Sequence, residues 1–203
     1  MKRVVLASAN PGKLRELAAL LAPYGLELLA QGALGIESVE ESGTTFLENA
    51  LLKARHAARR AQLPALADDS GIEVDALGGR PGVWSARFAG AGATDAANLA
   101  LLLEELRGVP AARRSARYRC VVAWVAGPED PAPLIAQGSW EGRIALRPRG
   151  NGGFGYDPAF IPVGETRTAA ELSAEEKNRV SHRAGALRAL VAALESGGVY
   201  SRP

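Results

Sequence analysis

The spacing of apolar positions divides the first third of the chain into short strands and amphipathic helices. The apolar run from Val4 to Ala7 predicts a buried strand, and the turn residues Asn10-Pro11-Gly12 end it. Apolar side chains at positions 14, 17, 20 and 21 predict a helix that Asn10 caps and Pro11 begins. Leu26 to Ala30 predicts the second strand.

The next segment joins a predicted helix to an acidic sequence. Thr45-Phe46-Leu47-Glu48 matches a capping box, so a helix is expected to follow. Pro64 to Ala67 and Ile72 to Asp75 predict strands on either side of a turn at Asp68-Asp69-Ser70-Gly71.

The second half combines a hairpin with further helices. Thr94 is expected to cap a helix, and Tyr118 to Ala126 should pair with Leu134 to Trp140. A glycine-rich loop covers Gly150 to Tyr156, and the last helical region runs from about Ser173 to Leu194. Strands that first alternate with helices and then pair directly predict an α/β fold with a mixed sheet.

Composition and charge narrow the class of protein. The chain has 203 residues, 47% of them hydrophobic, which fits one large globular domain or two intimately joined lobes. The net charge of +2 is close to balance and does not favour a nucleic-acid-binding surface. The arginines at positions 113, 114, 117 and 119 predict a solvated strand edge. Cys120 is the one cysteine, which excludes internal disulfides. No signal peptide or bilayer-spanning run is present, so we expect a cytoplasmic protein with no membrane partner.

Lysine is scarce, since it supplies only four of the 24 basic residues: Lys2, Lys13, Lys53 and Lys177. A compact ammonium could therefore be specifically required at these positions. Lys13 ends the turn that begins at Ser8, where a helix N-terminus favours a phosphate. Leu14 follows Lys13, which excludes a Walker A loop. The alternative is an ordinary capped helix start.

Several acidic residues could hold a cation. The adjacent carboxylates of Asp68 and Asp69 repel each other, so holding both near one point requires a bound cation or a raised pKa. If Mg²⁺ is bound to the phosphates of a substrate, one carboxylate can bind the Mg²⁺ ion. The other carboxylate can then orient or deprotonate a water molecule. Glu40-Glu41 could complete the site, although each acidic segment could instead be a solvated turn.

Two later segments could recognise a planar ring. Gly152 to Pro158 contains two aromatic residues and a carboxylate, which can stack on a ring and bind its edge, or could simply begin a strand. Lys177 and His182 are five residues apart and do not share a face of an unbroken helix. Either the helix breaks near Asn178, or the two side chains reach a ligand from different angles.

Taken in order, these segments resemble the inosine triphosphate pyrophosphatase family, the Ham1/RdgB group, over nearly the whole chain. Ser8 stands where many members have threonine, and this substitution keeps the hydroxyl. The matching segments are Ser8–Lys13, Phe46–Ala54, Asp68–Gly71, Leu77–Gly82, Ser85–Arg87, Gly152–Pro158, Glu176–Lys177 and Ser181–Arg183.

The resemblance implies an Mg²⁺-dependent homodimer that hydrolyses ITP, dITP and XTP to the monophosphate and pyrophosphate. It implies one domain over residues 1–203, with an elongated mixed sheet flanked by helices and an active-site cleft between two lobes. It makes Asp69 the proton acceptor and a metal ligand, together with Glu40 or Glu41. It gives the substrate the following residues: Ser8, Ala9, Asn10, Pro11, Gly12, Lys13, Lys53 and Ser70 near the phosphates, and Phe154, Gly155, Tyr156, Asp157, Lys177, His182 and Arg183 at the base.

Three other functions stay open at this point. A related enzyme could act on modified pyrimidine or other unusual nucleotides. A protein of this fold could bind nucleotides without catalysis, although the presence of Asp68, Asp69 and three candidate lysines favours an enzyme. Binding of nucleic acid is the weakest alternative, and we expect no such partner.

Overall fold

The computed structural model describes residues 3–197, so Lys2 lies outside the described residues. The chain divides into two compact units. The first unit contains the residues up to Asp69, Cys120–Gly138, and the segment that begins at Arg183. The second unit contains Ser70–Arg119 and Ser139–His182. The expectation of one domain over residues 1–203 stays a prediction.

Within residues 3–197, six strands form one sheet in the order β2-β1-β3-β4-β5-β6. β1 pairs in parallel with β2 and β3, whereas β5 and β6 are antiparallel, which confirms the predicted mixed sheet. The strands are β1 (Arg3–Leu6), β2 (Glu27–Ala30), β3 (Ala65–Val74), β4 (Ser115–Val125), β5 (Leu134–Ile144) and β6 (Phe160–Pro162).

Five α-helices accompany the sheet in the described part of the chain, and short 3₁₀ turns connect several elements. None of these helices has the length and apolar character needed to cross a membrane, as judged over residues 3–197. The helices are α1 (Pro11–Leu21), α2 (Phe46–Ala61), α3 (Asp95–Glu105), α4 (Ala174–Val180) and α5 (His182–Ser196).

Local capping interactions set the helix starts at the predicted residues. The side chain of Asn10 accepts hydrogen bonds from the backbone N–H groups of Gly12 and Lys13, at 2.8 and 3.1 Å. Thr45 and Glu48 form both halves of the predicted capping box at the start of α2. Each cap satisfies N–H groups that have no partner within the helix.

The predicted acidic turn is wrong, because residues 68–71 lie inside the continuous strand β3. Asp, Ser and Gly are common in turns, and this composition suggested a break between two strands. The carboxylates of Asp68 and Asp69 instead have cationic partners within the first unit, which permits a buried strand to carry them.

Helices cover both faces of the sheet in the first unit. Leu17 of α1 and Leu187 of α5 pack in the same apolar cluster as Leu66 of β3. Ala54 of α2 belongs to a second cluster with Ala67, the next residue along β3. Successive side chains of a strand point to opposite faces, so α1 and α5 lie on one face and α2 on the other.

The arginine group of β4 and its preceding loop is only partly a solvated edge. Arg117 and Arg119 form ion pairs with Glu73. Arg114 is buried and donates to the backbone carbonyls of Leu106, Val109 and Ala145, so the expectation of a solvated side chain is wrong for this residue. Leu106 is the C-cap residue of α3, so its carbonyl lies at the negative end of the helix dipole. The three carbonyl oxygens together supply the partial negative charge that a buried guanidinium requires.

Candidate active site

Asp68 is the centre of a buried charge network in the first unit. Its carboxylate lies 3.1 Å from the Lys13 ammonium and accepts hydrogen bonds from the Arg183 guanidinium, at 3.0 Å from Nη2. The side chains of Asp68 and Arg183 are 0% and 1% exposed. Arg183 also donates to Glu16 on α1. Two cations and two carboxylates therefore alternate through this part of the unit.

Electrostatics keep Asp68 ionised in this network. Burial by itself raises the pKa of Asp68, but the charges of Lys13, Arg183 and Lys53 outweigh that effect. The pKa of Asp68 consequently lies well below its ordinary value. A carboxylate of this kind is a poor base at neutral pH, and its role here is to hold Lys13 and Arg183.

Asp69 has different partners, which come from α2 and the segment before it. The Lys53 ammonium lies 2.7 Å from Asp69 Oδ1 and 2.8 Å from Glu41 Oε1. Asn49 donates to the other oxygen of Asp69 at 3.4 Å. Asn49 and Lys53 are four residues apart on α2, so they share the face that meets the sheet.

The pKa of Asp69 is raised above its ordinary value. Burial is the main cause, and the positive charges of Lys53 and Lys13 oppose it only in part. The neighbouring aspartates therefore have opposite pKa shifts, because their side chains occupy different environments on the two faces of β3. Such a pair has one carboxylate that stays ionised at neutral pH and one whose raised pKa is closer to that of a general base.

The turn from Ser8 to Lys13 is compact and internally hydrogen bonded. Ser8 Oγ accepts a hydrogen bond from the Asn10 N–H at 3.2 Å. The Asn10 side chain, as the helix cap, accepts from the N–H groups of Gly12 and Lys13. Ala9 and Pro11 are exposed, and Gly12 is buried. The ammonium of Lys13 is thus the strongest feature of this turn for binding an anion, since the cap uses two of the N–H groups.

Asp157 is the centre of a second cluster, which lies entirely in the second unit. Asp157 Oδ2 accepts from Lys177 Nζ at 2.5 Å and from the Phe154 N–H at 2.9 Å. Lys177 Nζ also lies 4.7 Å from the centre of the Phe154 ring. Gly153 has φ +70°, and a Cβ there would lie 2.1 Å from Asp157 Oδ2. Glycine is therefore required for this loop to close on the carboxylate.

The rest of the glycine-rich loop is tied to other parts of the second unit. The Tyr156 hydroxyl donates to the Ser85 carbonyl at 2.8 Å, and the Gly155 N–H donates to Asp95 at 2.7 Å. Burial raises the pKa of Tyr156, which keeps its hydroxyl protonated. Tyr156 is buried, which is what the alternative of a strand-entry turn predicts. Phe154 is only half-buried.

His182 is held by aromatic stacking. Its imidazole is nearly parallel to the Tyr118 ring, with centroids 4.6 Å apart and an interplanar angle of 7°. Of the two alternatives for the last helical region, the structure shows a break in the helix, but the break lies at Ser181 and its expected position near Asn178 is wrong. Ser181 has an extended backbone, so Lys177 and His182 belong to separate helices.

The structure divides the predicted residues between the two units. In the first unit, Lys13 and Arg183 contact Asp68, while Glu41 and Asp69 contact Lys53. In the second unit, Phe154 and Lys177 contact Asp157, and Tyr118 connects His182 to the same carboxylate. Ser70 is half-buried in β3 and Glu40 is exposed. Arg183 was expected at a base pocket, and its contacts are with carboxylates of the first unit.

Sequence reasoning did not identify Glu16 or Tyr118. Glu16 looks like an ordinary helix-surface acid, and its partner Arg183 is 167 residues away. Tyr118 looks like an ordinary residue at the start of a predicted strand, and nothing in the sequence singles out its hydroxyl. Cys120 is also buried, and burial raises the pKa of its thiol to about 12, which makes it unsuited to nucleophilic chemistry.

Two carboxylates of the first unit fit a hard divalent cation. Asp69 and Glu41 converge on the Lys53 ammonium, so their oxygens already share one positive charge. No group of three or more histidine, cysteine or acidic side chains suited to a metal occurs in residues 3–197. This donor set matches Mg²⁺, which commonly takes one or two carboxylates and completes its shell with water and phosphate oxygens.

Comparison with known proteins places this arrangement in a family. A sequence profile of the Ham1 family matches residues 4–193. A dITP/XTP pyrophosphatase from Shigella flexneri is 56% identical, over 97% of this chain and 100% of that protein. Solved Ham1 proteins from Coxiella burnetii and Staphylococcus aureus have 48% and 38% identity and TM-scores of 0.87 and 0.83, and each comparison covers 97% of this chain and 100% of the other. The chain therefore belongs to the Ham1 family.

Proposed function

We propose that this protein hydrolyses non-canonical purine nucleoside triphosphates (ITP, dITP and XTP) to the monophosphate and pyrophosphate, and so removes them from the nucleotide pool. The relative from Shigella flexneri carries the name dITP/XTP pyrophosphatase, and it matches over its whole length. The observation that carries the proposal is the contact of one lysine, Lys53, with both Asp69 and Glu41. This arrangement combines a cation, a candidate base and candidate metal ligands.

The first unit supplies charges suited to a triphosphate. Lys13 and Lys53 are ammonium groups with partly exposed side chains, at 15% and 13%. Lys13 lies in the first turn of α1, where the helix dipole adds positive potential. We assign the phosphates to these two lysines and to the turn that begins at Ser8. Asp68 holds Lys13 in place for this role.

Asp69 and Glu41 would hold Mg²⁺ in the same unit. When bound, Mg²⁺ supplies charge neutralisation for the triphosphate and the leaving pyrophosphate. Glu41 is preferred to Glu40, because Glu41 contacts the same ammonium as Asp69 while Glu40 is exposed. Lys53 would then exchange part of its contact with the carboxylates for contact with phosphate oxygens.

The chemical step requires activation of one water molecule. Asp69 accepts a proton from water as the water oxygen bonds to the α-phosphorus, and the bond from the α-phosphorus to the bridging oxygen breaks. Pyrophosphate leaves with the electron pair of that bond. The raised pKa of Asp69 makes it a stronger base than an ordinary aspartate, while Asp68 stays ionised and bound to its cations.

The second unit supplies groups suited to a 6-oxopurine. Lys177 is a donor that matches O6, and Asp157 is an acceptor that matches the N1–H group. Adenine presents the opposite pattern, with a donor at position 6 and an acceptor at N1. Phe154 offers a ring face for stacking. His182 remains a candidate base contact, and the proposed role of Arg183 at the base stays a prediction, as its guanidinium binds Asp68.

A substrate panel tests the proposal. Purified protein is incubated with ITP, dITP, XTP, ATP, GTP and modified pyrimidine triphosphates, and pyrophosphate and phosphate are measured separately, with and without Mg²⁺ and a chelator. We expect pyrophosphate from the 6-oxopurines ITP, dITP and XTP, and its loss in Asp69→Asn. Release from pyrimidine nucleotides alone would favour a related house-cleaning enzyme, and binding without release would favour a nucleotide sensor. The homodimer and the cytoplasmic location stay predictions.

A further inference from the structure

Tyr118 occupies an interior position of β4 in the second unit. Buried Ala116 and Tyr118 alternate along the strand with Arg117 and Arg119, which pair with acidic residues. Tyr118 is 7% exposed and belongs to the apolar cluster that contains Phe160 and Trp140. Its hydroxyl is thus a polar group within a largely apolar core, and such a group needs a specific partner.

The partner of the Tyr118 hydroxyl is Asp157, the centre of the second cluster. Tyr118 donates to Asp157 Oδ1 at 3.2 Å, while Lys177 and the Phe154 N–H donate to Oδ2. Asp157 is 2% exposed. Donors on both oxygens prevent free rotation of the carboxylate, and a hydrogen bond to an ionised acceptor is stronger than a neutral one. Tyr118 therefore helps to set the orientation of the Asp157 carboxylate plane.

The ring of Tyr118 also holds His182. The two rings are stacked at 4.6 Å, and Phe160 meets the Tyr118 ring edge-on at 4.8 Å with an angle of 66°. Trp140 lies 6.5 Å from His182 and is tilted by 17°. Phe160 thus restricts the Tyr118 ring, and this ring sets the plane of the imidazole. One side chain contacts both Asp157 and His182.

We propose that Tyr118 is a positioning residue for discrimination between purine bases, which acts by holding Asp157 and His182 in a fixed relative orientation. The inference rests on the proposed function, in which Asp157 accepts from N1–H of a 6-oxopurine. A carboxylate released from Tyr118 can rotate and accept from the exocyclic amine of adenine. The preference for hypoxanthine over adenine then falls, although Tyr118 itself does not touch the base.

Tyr118→Phe provides the direct test, because it keeps the stacked ring and removes the hydroxyl. We expect the ratio of kcat/KM for ITP to kcat/KM for ATP to fall about tenfold, with a raised KM for ITP and kcat within about twofold. Asp69 and Lys53 belong to the first unit and keep their contacts. Tyr24→Phe removes a hydroxyl from a half-buried tyrosine of the first unit and serves as the matched control. An unchanged ratio, or an equal loss for both substrates, would overturn the proposal.

Two further measurements do not depend on turnover. Calorimetry with IMP and AMP should show a loss of IMP preference in Tyr118→Phe, and an equal loss of both affinities would contradict the positioning role. The chain has two histidines, so NMR can follow His182 with His56→Gln used for assignment. The ring-current shift of His182 should persist in Tyr118→Phe and decrease in Tyr118→Leu, where the more distant Trp140 ring still contributes. If the unaltered protein releases no pyrophosphate from any nucleotide, the proposed function fails, whereas the calorimetric result still decides the role of Tyr118.

Discussion

Asp68 and Asp69 are neighbours on β3, yet their carboxylates bind cations from helices on opposite faces of the sheet. Asp68 binds Lys13 of α1 and Arg183 of α5, whereas Asp69 binds Lys53 of α2. Strand geometry forces this separation, since successive side chains alternate between faces. Adjacent acids in the sequence can thus perform different tasks, one structural and one chemical.

The two aspartates should differ in their effects on stability. Asp68→Asn leaves Lys13 and Arg183 without their main buried counter-charge, and removal of one partner from a buried pair costs about 3–5 kcal/mol. Asp69→Asn should cost less than half as much, because burial already disfavours the ionised form of Asp69. Urea denaturation followed by circular dichroism measures both free energies of unfolding. Equal losses in the two variants would contradict the assignment.

The pH dependence of stability should also separate these residues. The pKa of Asp68 is lowered in the folded state, so its stabilisation is present above the ordinary value of 3.8 and is lost as pH falls through the lower folded value. The pKa of Asp69 is raised, so its ionisation reduces stability as pH rises from 3.8 through the folded value. The cost of Asp69→Asn relative to the unaltered protein should therefore become smaller across that rise. Melting temperatures from pH 4 to 7 test this, and a constant difference would count against it.

The charge of Lys53 should control the acidic limb of the pH–rate profile. Lys53 lowers the pKa of Asp69 and so opposes the effect of burial. Lys53→Met should move the acidic limb of kcat/KM for ITP to higher pH and reduce turnover about 100-fold. Lys53→Arg keeps the charge and should keep the limb in place, with a lower rate because the larger guanidinium fits poorly between Asp69 and Glu41. A limb that moves equally in both variants would exclude the charge as the cause.

Glu41 and Glu40 form a matched pair for the metal site. Glu41→Gln should raise the Mg²⁺ concentration for half-maximal pyrophosphate release by at least about tenfold, because it removes one of the two charges that converge near Lys53. Glu40→Gln should change it by less than about twofold, since Glu40 is exposed. Mg²⁺ titrations at saturating ITP distinguish the two, and the reverse order would assign the ligand to Glu40.

Arg114 and Arg113 offer a neighbouring pair for the second unit. Arg114→Met removes three hydrogen bonds to backbone carbonyls and should cost about 3 kcal/mol of unfolding free energy. Arg113→Met changes an exposed side chain and should stay within about 0.5 kcal/mol. Urea denaturation gives both values, and a similar loss for Arg113 would show that general charge, and not the carbonyl contacts, matters.

Interactions between residues close in sequence were predictable. Asn10 caps α1, Thr45 and Glu48 form the capping box of α2, and Thr94 caps α3, each through partners two or three residues away. The order of motifs from Ser8 to Arg183 was also sufficient to indicate the Ham1 family, which the comparisons confirm. These features depend on local backbone geometry or on residue identity, and both can be read directly from the chain.

Interactions between residues remote in sequence were not predictable. The residues of the Arg183–Asp68 pair are 115 positions apart, and those of the Tyr118–Asp157 pair are 39 apart. The continuity of β3 through residues 68–71 also depended on distant partners, because the cations of α1, α2 and α5 make buried carboxylates acceptable there.

The sequence by itself determined where the helices begin, which chemical groups are available and which family they indicate. Tertiary structure decided which cation meets which carboxylate, and this choice produces the opposite pKa shifts of Asp68 and Asp69. The physical reason is that burial and Coulomb interactions depend on distances of a few ångströms in space. The separation of two residues along the chain does not specify their distance in space.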